Sequence, residues 1–307
     1  MKVSSFAKLV GVSLFIVMTF GCAALHPGPI LGVEQVRVER DISYRDDPPT
    51  ASAETKRRHL LDIYLPPKGG PWPTVLIVHG GGFVINDKTI VENMGYALAQ
   101  EGYAAVAVNY RLYPRTTHPG PIEDVAAAIA WTKANLPRYG ADTDDYFLIG
   151  YSAGGTLAAM ALLDERWLAP HGLSAEIFRA AVLMSGIYEV DRVPLPLRFA
   201  FTQDPAVWRD ASPLRHVRAP LPPLLLLHAQ HDWRWGWGRM SMKAQAHLLY
   251  EALRAAGNDV VLREIADCDH NGIEMQIGRD PDSAAFAALR AFLAKHRQDE
   301  PEQRSPQ

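Results

Sequence analysis

The chain has 307 residues, 48% of them hydrophobic and 21% charged, with a formal net charge of -3. That is room for one large globular domain, and with no long basic run it argues against a nucleic-acid or other polyanion partner. Two cysteines are too few for a disulfide-stapled scaffold.

The N-terminus opens with MKVSSFAK, carrying Lys2 and Lys8, then the apolar run LVGVSLFIVMTF, then Gly21-Cys22-Ala23-Ala24. A basic start, a short apolar stretch and small residues at its exit describe an export signal over residues 1–22. The run is short for a membrane span, which needs about 20 residues. Gly21-Cys22 resembles the lipobox of bacterial lipoproteins, although Thr19 and Phe20 stand where that motif usually has leucine and a small residue. The resemblance implies lipid on Cys22, a membrane tether and a cell-envelope location. Ordinary signal-peptidase cleavage to a soluble secreted form and an uncleaved anchor are the alternatives. If Cys22 carries lipid, Cys268 has no disulfide partner and a large core holds the fold; a Cys22–Cys268 bridge is the other option.

Residues 23–35 read as a Pro/Gly-rich linker. From 36 to 297, extended apolar runs alternate with helical ones. VRVERDISY and HLLDIYLP alternate with period two, which predicts antiparallel strands with one wet face. TVLIVHG, AAVAVNY, YFLIGYS, RAAVLMSG and PLLLLHA are short continuous apolar runs, expected of strands buried on both faces, and VVLREI is a more mixed last strand. Helical patterns lie between and after them: VENMGYALAQEG, IEDVAAAIAWTKANL, TLAAMALLDERW, KAQAHLLYEALRAAG and SAAFAALRAFLAKH. Such alternation predicts an α/β fold, a mainly parallel eight-stranded sheet with helices on both faces and the site at the carboxyl ends of the strands. Residues 187–222, rich in Pro, Arg and aromatics, are too long for a simple connection and read as a small cap insertion, with an irregular surface connection as the alternative. The polar tail 298–307 reads as disordered.

The chemistry centres on FLIGYSAGG, where a strand meets a helix and Ser152 sits between glycines. A serine in such a turn points its hydroxyl above the sheet, but it is a poor nucleophile until a base takes its proton. Acyl transfer further requires donors for the oxyanion. TVLIVHGGGF runs a strand into His79 and three glycines, whose bare backbone N–H groups can face a developing negative charge. Glycine clusters also make plain turns, yet this one precedes a strand–GxSxG elbow in the order that acyl transfer requires. Asp232 follows PLLLLHAQH as the candidate acid, and His270 follows the last strand as the candidate base, completing the order Ser…Asp…His. Asp267 and Asp269 are runners-up for the acid; as sequence neighbours of His270 they do not fold back easily onto its ring. His228-x-x-His231-Asp232 has partial metal-ligand spacing without a matching further cluster, so no metal is expected.

With these residues in place, the chain resembles the α/β-hydrolase superfamily over roughly residues 36–297. It is most similar to esterases related to hormone-sensitive lipase and to acetyl-xylan/feruloyl-type carboxylesterases. HGGGF, GYSAGG, LDIYLP, VNYRLYP and AIAWTKANLPRYGADTDDYFLIGYSAGGTLA carry the likeness. The resemblance implies an α/β-hydrolase fold, Ser152 as nucleophile, His270 as base, Asp232 as acid, and Gly81, Gly82 and Ala153 as backbone oxyanion donors. It implies no cofactor and a small-molecule ester as substrate; aromatic and apolar residues in the cap region point to an apolar acyl group of small to medium size. Arylformamides and polysaccharide acetyl or feruloyl esters are alternatives, as is a non-catalytic binding protein on the same fold. The departures are Tyr151, where relatives carry Asp or His, and Asp232-Trp-Arg-Trp-Gly-Trp-Gly, where they have a short turn. Trp233, Trp235 and Trp237 are expected either to wall the pocket or simply to pack. Arg111 and Asp124 read as structural, the latter in the first turn of a helix. Oligomeric state is left open.

Overall fold

The computed structural model describes residues 33–193, 198–235 and 240–298. The segment 1–22 read as an export signal, with Cys22, most of the expected linker and nearly all of the tail, lies outside the described residues. Among the described residues, no helix is long and apolar enough to cross a membrane.

The eight expected strands form one sheet. They are β1 (Arg37–Ser43), β2 (Leu60–Leu65), β3 (Trp72–Val78), β4 (Ala104–Val108), β5 (Ala141–Tyr151), β6 (Ala180–Met184), β7 (Leu224–His231) and β10 (Val260–Asp269), in the order β1-β2-β4-β3-β5-β6-β7-β10. A two-residue hairpin, β8 (Arg234–Trp235) with β9 (Met240–Ser241), lies apart. β1 and β2 pair antiparallel, as does β2 with β4; every other pairing in the large sheet is parallel. Successive side chains point to opposite faces of a strand, so Val75 and Ile77 enter one core and Leu76 and Val78 the other.

Helices cover both faces. On one side lie α3 (Gly120–Asn135), α4 (Ala153–Leu163) and α6 (Met242–Ala255). On the other lie α2 (Glu92–Gln100), the short α7 (Gly272–Met275) and α8 (Ala284–His296). Two one-turn helices without a strong apolar stripe, α1 (Ala53–Arg58) and α5 (Pro205–Asp210), were not legible in the sequence. α4 begins at Ala153 and stops at Leu163, earlier at both ends than its apolar pattern suggests. The glycines that read as turn residues are its first turn.

β2 departs from the one-wet-face expectation, being buried from Leu61 onward. Its Asp62 is fully buried and is neutralised by Lys88 Nζ at 2.7 Å and Arg40 Nη1 at 3.2 Å, with Asp41 N–H donating at 2.8 Å. Buried charge persists only when paired in this way. Asp124 is another such knot. It lies beyond the first turn of α3, so the helix dipole is not what holds it. Arg111 donates from Nε (2.7 Å), Nη2 (2.8 Å) and its backbone N–H (2.9 Å), and Arg45 adds Nη1 at 3.0 Å. Burial alone raises this carboxyl, but bonds from His59 and Arg111 hold it below the usual range.

Between β6 and β7 the described part of the insertion runs across the loops that follow β3 and β4. Phe201 meets Phe83 edge-on at 4.8 Å, Phe199 stacks on Tyr113 at 6.4 Å, and His118 N–H donates to Ala200 O at 2.7 Å. Its buried residues Tyr188, Val190, Ala200 and Phe201 join the α3/α4 core and form no core of their own.

Candidate active site

Parallel register brings the site together. Tyr151 pairs with Met184, and the next residue, Ser152, donates its N–H to Met184 O at 2.8 Å. Met184 pairs with Leu227, and Ser185 N–H donates to Leu227 O at 2.8 Å. Asp269 pairs with His231, so Asp232 and His270 leave the sheet side by side. A bulge between Ile265 and Asp269, with Asp267 at φ 50°, re-aims the end of β10 before His270.

Ser152 sits at φ 54°, ψ -117°, a strained backbone for a residue with a Cβ. Such strain persists only where the surroundings enforce it, and here glycines do so. A Cβ on Gly154 falls 2.1 Å from Val78 O, and one on Gly150 falls 2.4 Å from Gly154 O. The elbow therefore closes β5, β3 and α4 to backbone contact. The loop after β3 lies against the elbow as well, since a Cβ on Gly80 meets the Tyr151 ring at 2.8 Å and Ser152 Cβ at 3.0 Å. Gly81 and Gly82 adopt φ 126° and 59°. Their N–H groups and that of Ala153, at the start of α4 where no intrahelical partner exists, are the expected oxyanion donors. His79 is fully buried, stacks on Tyr110 at 4.4 Å and hydrogen-bonds Gly80 O through Nδ1 at 2.6 Å. Burial pushes it down to about 4, so it stays neutral and shapes the loop.

The sequence-predicted acid, base and nucleophile form one chain of hydrogen bonds. His270 Nδ1 lies 2.6 Å from Asp232 Oδ1, and His270 Nε2 lies 2.9 Å from Ser152 Oγ. Burial alone raises Asp232, but its bonds with His270, Ser185 and the Trp233 N–H hold it below the usual carboxylate range. An ionised carboxylate only accepts, so the imidazole hydrogen sits on Nδ1 and Nε2 is left to accept from the serine hydroxyl. All three groups are buried, Ser152 at 5% exposure. The arrangement can take a proton from Ser152 and return it to a leaving group without moving the base far. Asp267 and Asp269 do not compete: the first is exposed, and the second accepts Gly272 N–H at 2.7 Å. His228 is buried at the end of β7 with Nδ1 3.2 Å from Ala229 O, while His231 is exposed.

Three partners were not identified from sequence. Ser185 Oγ donates to Asp232 Oδ2 at 2.5 Å; its only signal was its place at the exit of an apolar strand. Tyr151, whose burial holds its phenol well above the usual range, donates to His270 O at 2.8 Å and ties the elbow to the histidine loop. Trp233, for which packing was the slightly favoured reading over pocket wall, stacks on the His270 ring with centroids 3.9 Å apart. Trp235 contributes backbone to β8, and Trp237 lies outside the described residues. Cys268 is buried and its thiol is pushed up to about 12, so it offers no thiolate rival to Ser152.

Glu274 follows in α7, fully buried, with Oε1 unpaired among the described residues. Burial pushes its carboxyl up to about 8 from an unfolded value near 4.5. Between those values the native state holds a proton that the unfolded chain lacks, so this group's contribution to stability falls as pH rises, by up to about 1.4 kcal/mol per unit. Glu274→Gln is therefore expected to raise the melting temperature more at pH 8 than at pH 5. An equal shift at both pH values contradicts a protonated Glu274.

Comparisons with known proteins agree with this fold. The BD-FAE family matches residues 61–169. Esterase B from Lactobacillus rhamnosis superposes with TM-score 0.72 at 22% identity, covering 95% of this chain and 91% of that one. The chain has the α/β-hydrolase fold. A truncated carbohydrate esterase from gut microbiota shares this hydrolase fold, with TM-score 0.71 at 20% identity over 85% of this chain and 96% of that one. In sequence, the chain is 33% identical over 232 residues to the probable carboxylic ester hydrolase LipM of Mycobacterium tuberculosis, covering 69% of this chain and 53% of LipM. The chain spans about half the length of the curated relatives it matches.

Proposed function

We propose that the chain hydrolyses carboxylic esters through an acyl-enzyme on Ser152. The observation that carries the reading is the continuous Ser152–His270–Asp232 hydrogen-bond chain, at 2.9 and 2.6 Å, beside the glycine loop. His270 takes the Ser152 proton as Oγ attacks the ester carbonyl, and the oxyanion rests on the N–H groups of Gly81, Gly82 and Ala153. His270 then gives the proton to the leaving alcohol. Water, activated by the same imidazole, attacks the acyl-enzyme and frees Ser152 with the acid.

The acyl group is small to medium and apolar, a reading supported by Phe83 in the glycine loop, its partner Phe201 and the Trp233 indole on His270. The likeness to a carbohydrate esterase favours a second reading, release of acyl groups from polysaccharide. The N-terminal pattern supports export and tethering through lipid on Cys22; detergent-phase partition of the full chain that persists in Cys22→Ser contradicts the tether.

Rates on p-nitrophenyl esters from acetate to palmitate, beside an acetylated xylan and N-formylkynurenine, test the substrate class against Ser152→Ala. Turnover that depends on Ser152 and peaks at one short or medium chain length is expected. Preference for xylan or the formamide moves the assignment to those substrates. Rates no higher than the alanine variant on every substrate contradict a general esterase and favour a narrow substrate or a binding role.

A further inference from the structure

We propose that Trp233 is a positioning residue of this site: its indole face holds the His270 imidazole in its working plane and favours the protonated ring formed during acyl transfer. The proposal rests on the hydrolytic reading above and deepens it. The two rings lie 3.9 Å apart between centroids and 23° from parallel, which is van der Waals contact face to face. Two hydrogen bonds, to Asp232 and Ser152, leave an imidazole able to tilt about the line joining its nitrogens. A flat ring packed against its face opposes that tilt.

Trp233 is itself well fixed. Its N–H donates to Asp232 Oδ1 at 2.8 Å, the same oxygen that takes His270 Nδ1. Its carbonyl accepts from Met242 N–H at 3.1 Å, at the start of α6, and the next two residues pair in the β8–β9 hairpin. One residue thus binds the acid through its backbone and the base through its side chain, so the spacing of acid and base is coupled to a single Cα. When His270 takes the serine proton, the imidazolium gains attraction from the negative face of the indole, an attraction that grows in a water-poor site. His270 is 1% exposed. The titratable groups that contact His270 are Asp232, just past β7, and Tyr151 from β5; Tyr151 in turn feels Glu274 of α7 and the neighbouring Cys268 and Asp269 at the end of β10. Asp232 supplies the charge complement along the ring edge, and Trp233 supplies it on the ring face.

The test compares the full chain with Trp233→Leu and Trp233→Phe. Leucine fills space without a π face, and phenylalanine restores one. With the best p-nitrophenyl ester, Trp233→Leu is expected to lose roughly ten- to thirty-fold in kcat with KM nearly unchanged, the size of a desolvated cation–π contact. Trp233→Phe is expected to recover most of that loss. Labelling of Ser152 by a fluorophosphonate, which bypasses ester specificity, should slow in Trp233→Leu by a similar factor. A change confined to KM, or phenylalanine no better than leucine, overturns the proposal and leaves Trp233 as a pocket wall. A readout without turnover separates this from the function itself. Protonated imidazole quenches a stacked indole, so acidification should dim a fluorescence component in the wild type and in Ser152→Ala that both Trp233→Phe and His270→Gln lack. If Ser152→Ala turns over esters like the wild type, the hydrolytic reading fails. The fluorescence comparison then decides the Trp233–His270 coupling alone, and absence of the quench overturns it.

Discussion

Ser152→Ala and His270→Ala are each expected to lower kcat on a responsive ester by roughly a million-fold, and the double variant to be no worse than either. The expectation follows from the geometry. The serine hydroxyl and the imidazole are joined at 2.9 Å, and neither does its work without the other, since an unassisted hydroxyl is a weak nucleophile at neutral pH. Removing one removes the function of both. What remains in such a variant is the proposed oxyanion hole of the glycine loop and the N-terminal amide of α4, expected to leave roughly 10³- to 10⁴-fold over the uncatalysed reaction. Steady-state rates of the two single variants and the double variant check this. Losses that multiply mean that Ser152 and His270 act independently, which is incompatible with the relay.

Asp232→Asn is the next largest effect, a loss of roughly 10⁴-fold in kcat with the fold intact. The carboxylate receives His270 Nδ1 at 2.6 Å, Ser185 Oγ at 2.5 Å and Trp233 N–H at 2.8 Å. Those donors hold it ionised despite its burial, and an ionised acceptor is what fixes the imidazole hydrogen on Nδ1. An asparagine presents an N–H₂ to at least one of these donors. If it faces His270, the ring turns its hydrogen to Nε2, toward Ser152, where it can no longer accept. Kinetics at neutral pH together with a melting curve check the prediction. A loss of tenfold or less contradicts the assignment of Asp232 as the acid and reopens the question of what orients His270.

Local signals in the sequence were enough to place the eight strands, the five longer helices and the candidate nucleophile, acid and base. Short continuous apolar runs bounded by turn signals fit strands buried on both faces, and a serine flanked by glycines at a strand exit has few structural uses. The sequence was less informative wherever a residue's role depends on a partner brought in by register. Ser185 is an ordinary serine until β6 is seated beside β7, which sets its hydroxyl on Asp232. Tyr151 reads as an odd substitution in the elbow until the end of β10 delivers the His270 carbonyl to its phenol. Trp233 is one of three alternating tryptophans, and only the pairing of β7 with β10 singles it out by stacking it on the imidazole. Asp62 illustrates the converse failure. A period-two pattern predicts a wet face, but Lys88 and Arg40 arrive from distant segments and allow the carboxylate to be buried.

The most direct measurement of the central claim is to treat the full chain with a fluorophosphonate and map the adduct by mass spectrometry. The account predicts one stoichiometric adduct on Ser152, formed rapidly in the wild type, strongly slowed in His270→Ala and absent in Ser152→Ala. An unmodified Ser152, or labelling at the same rate without His270, contradicts a serine nucleophile activated by this imidazole.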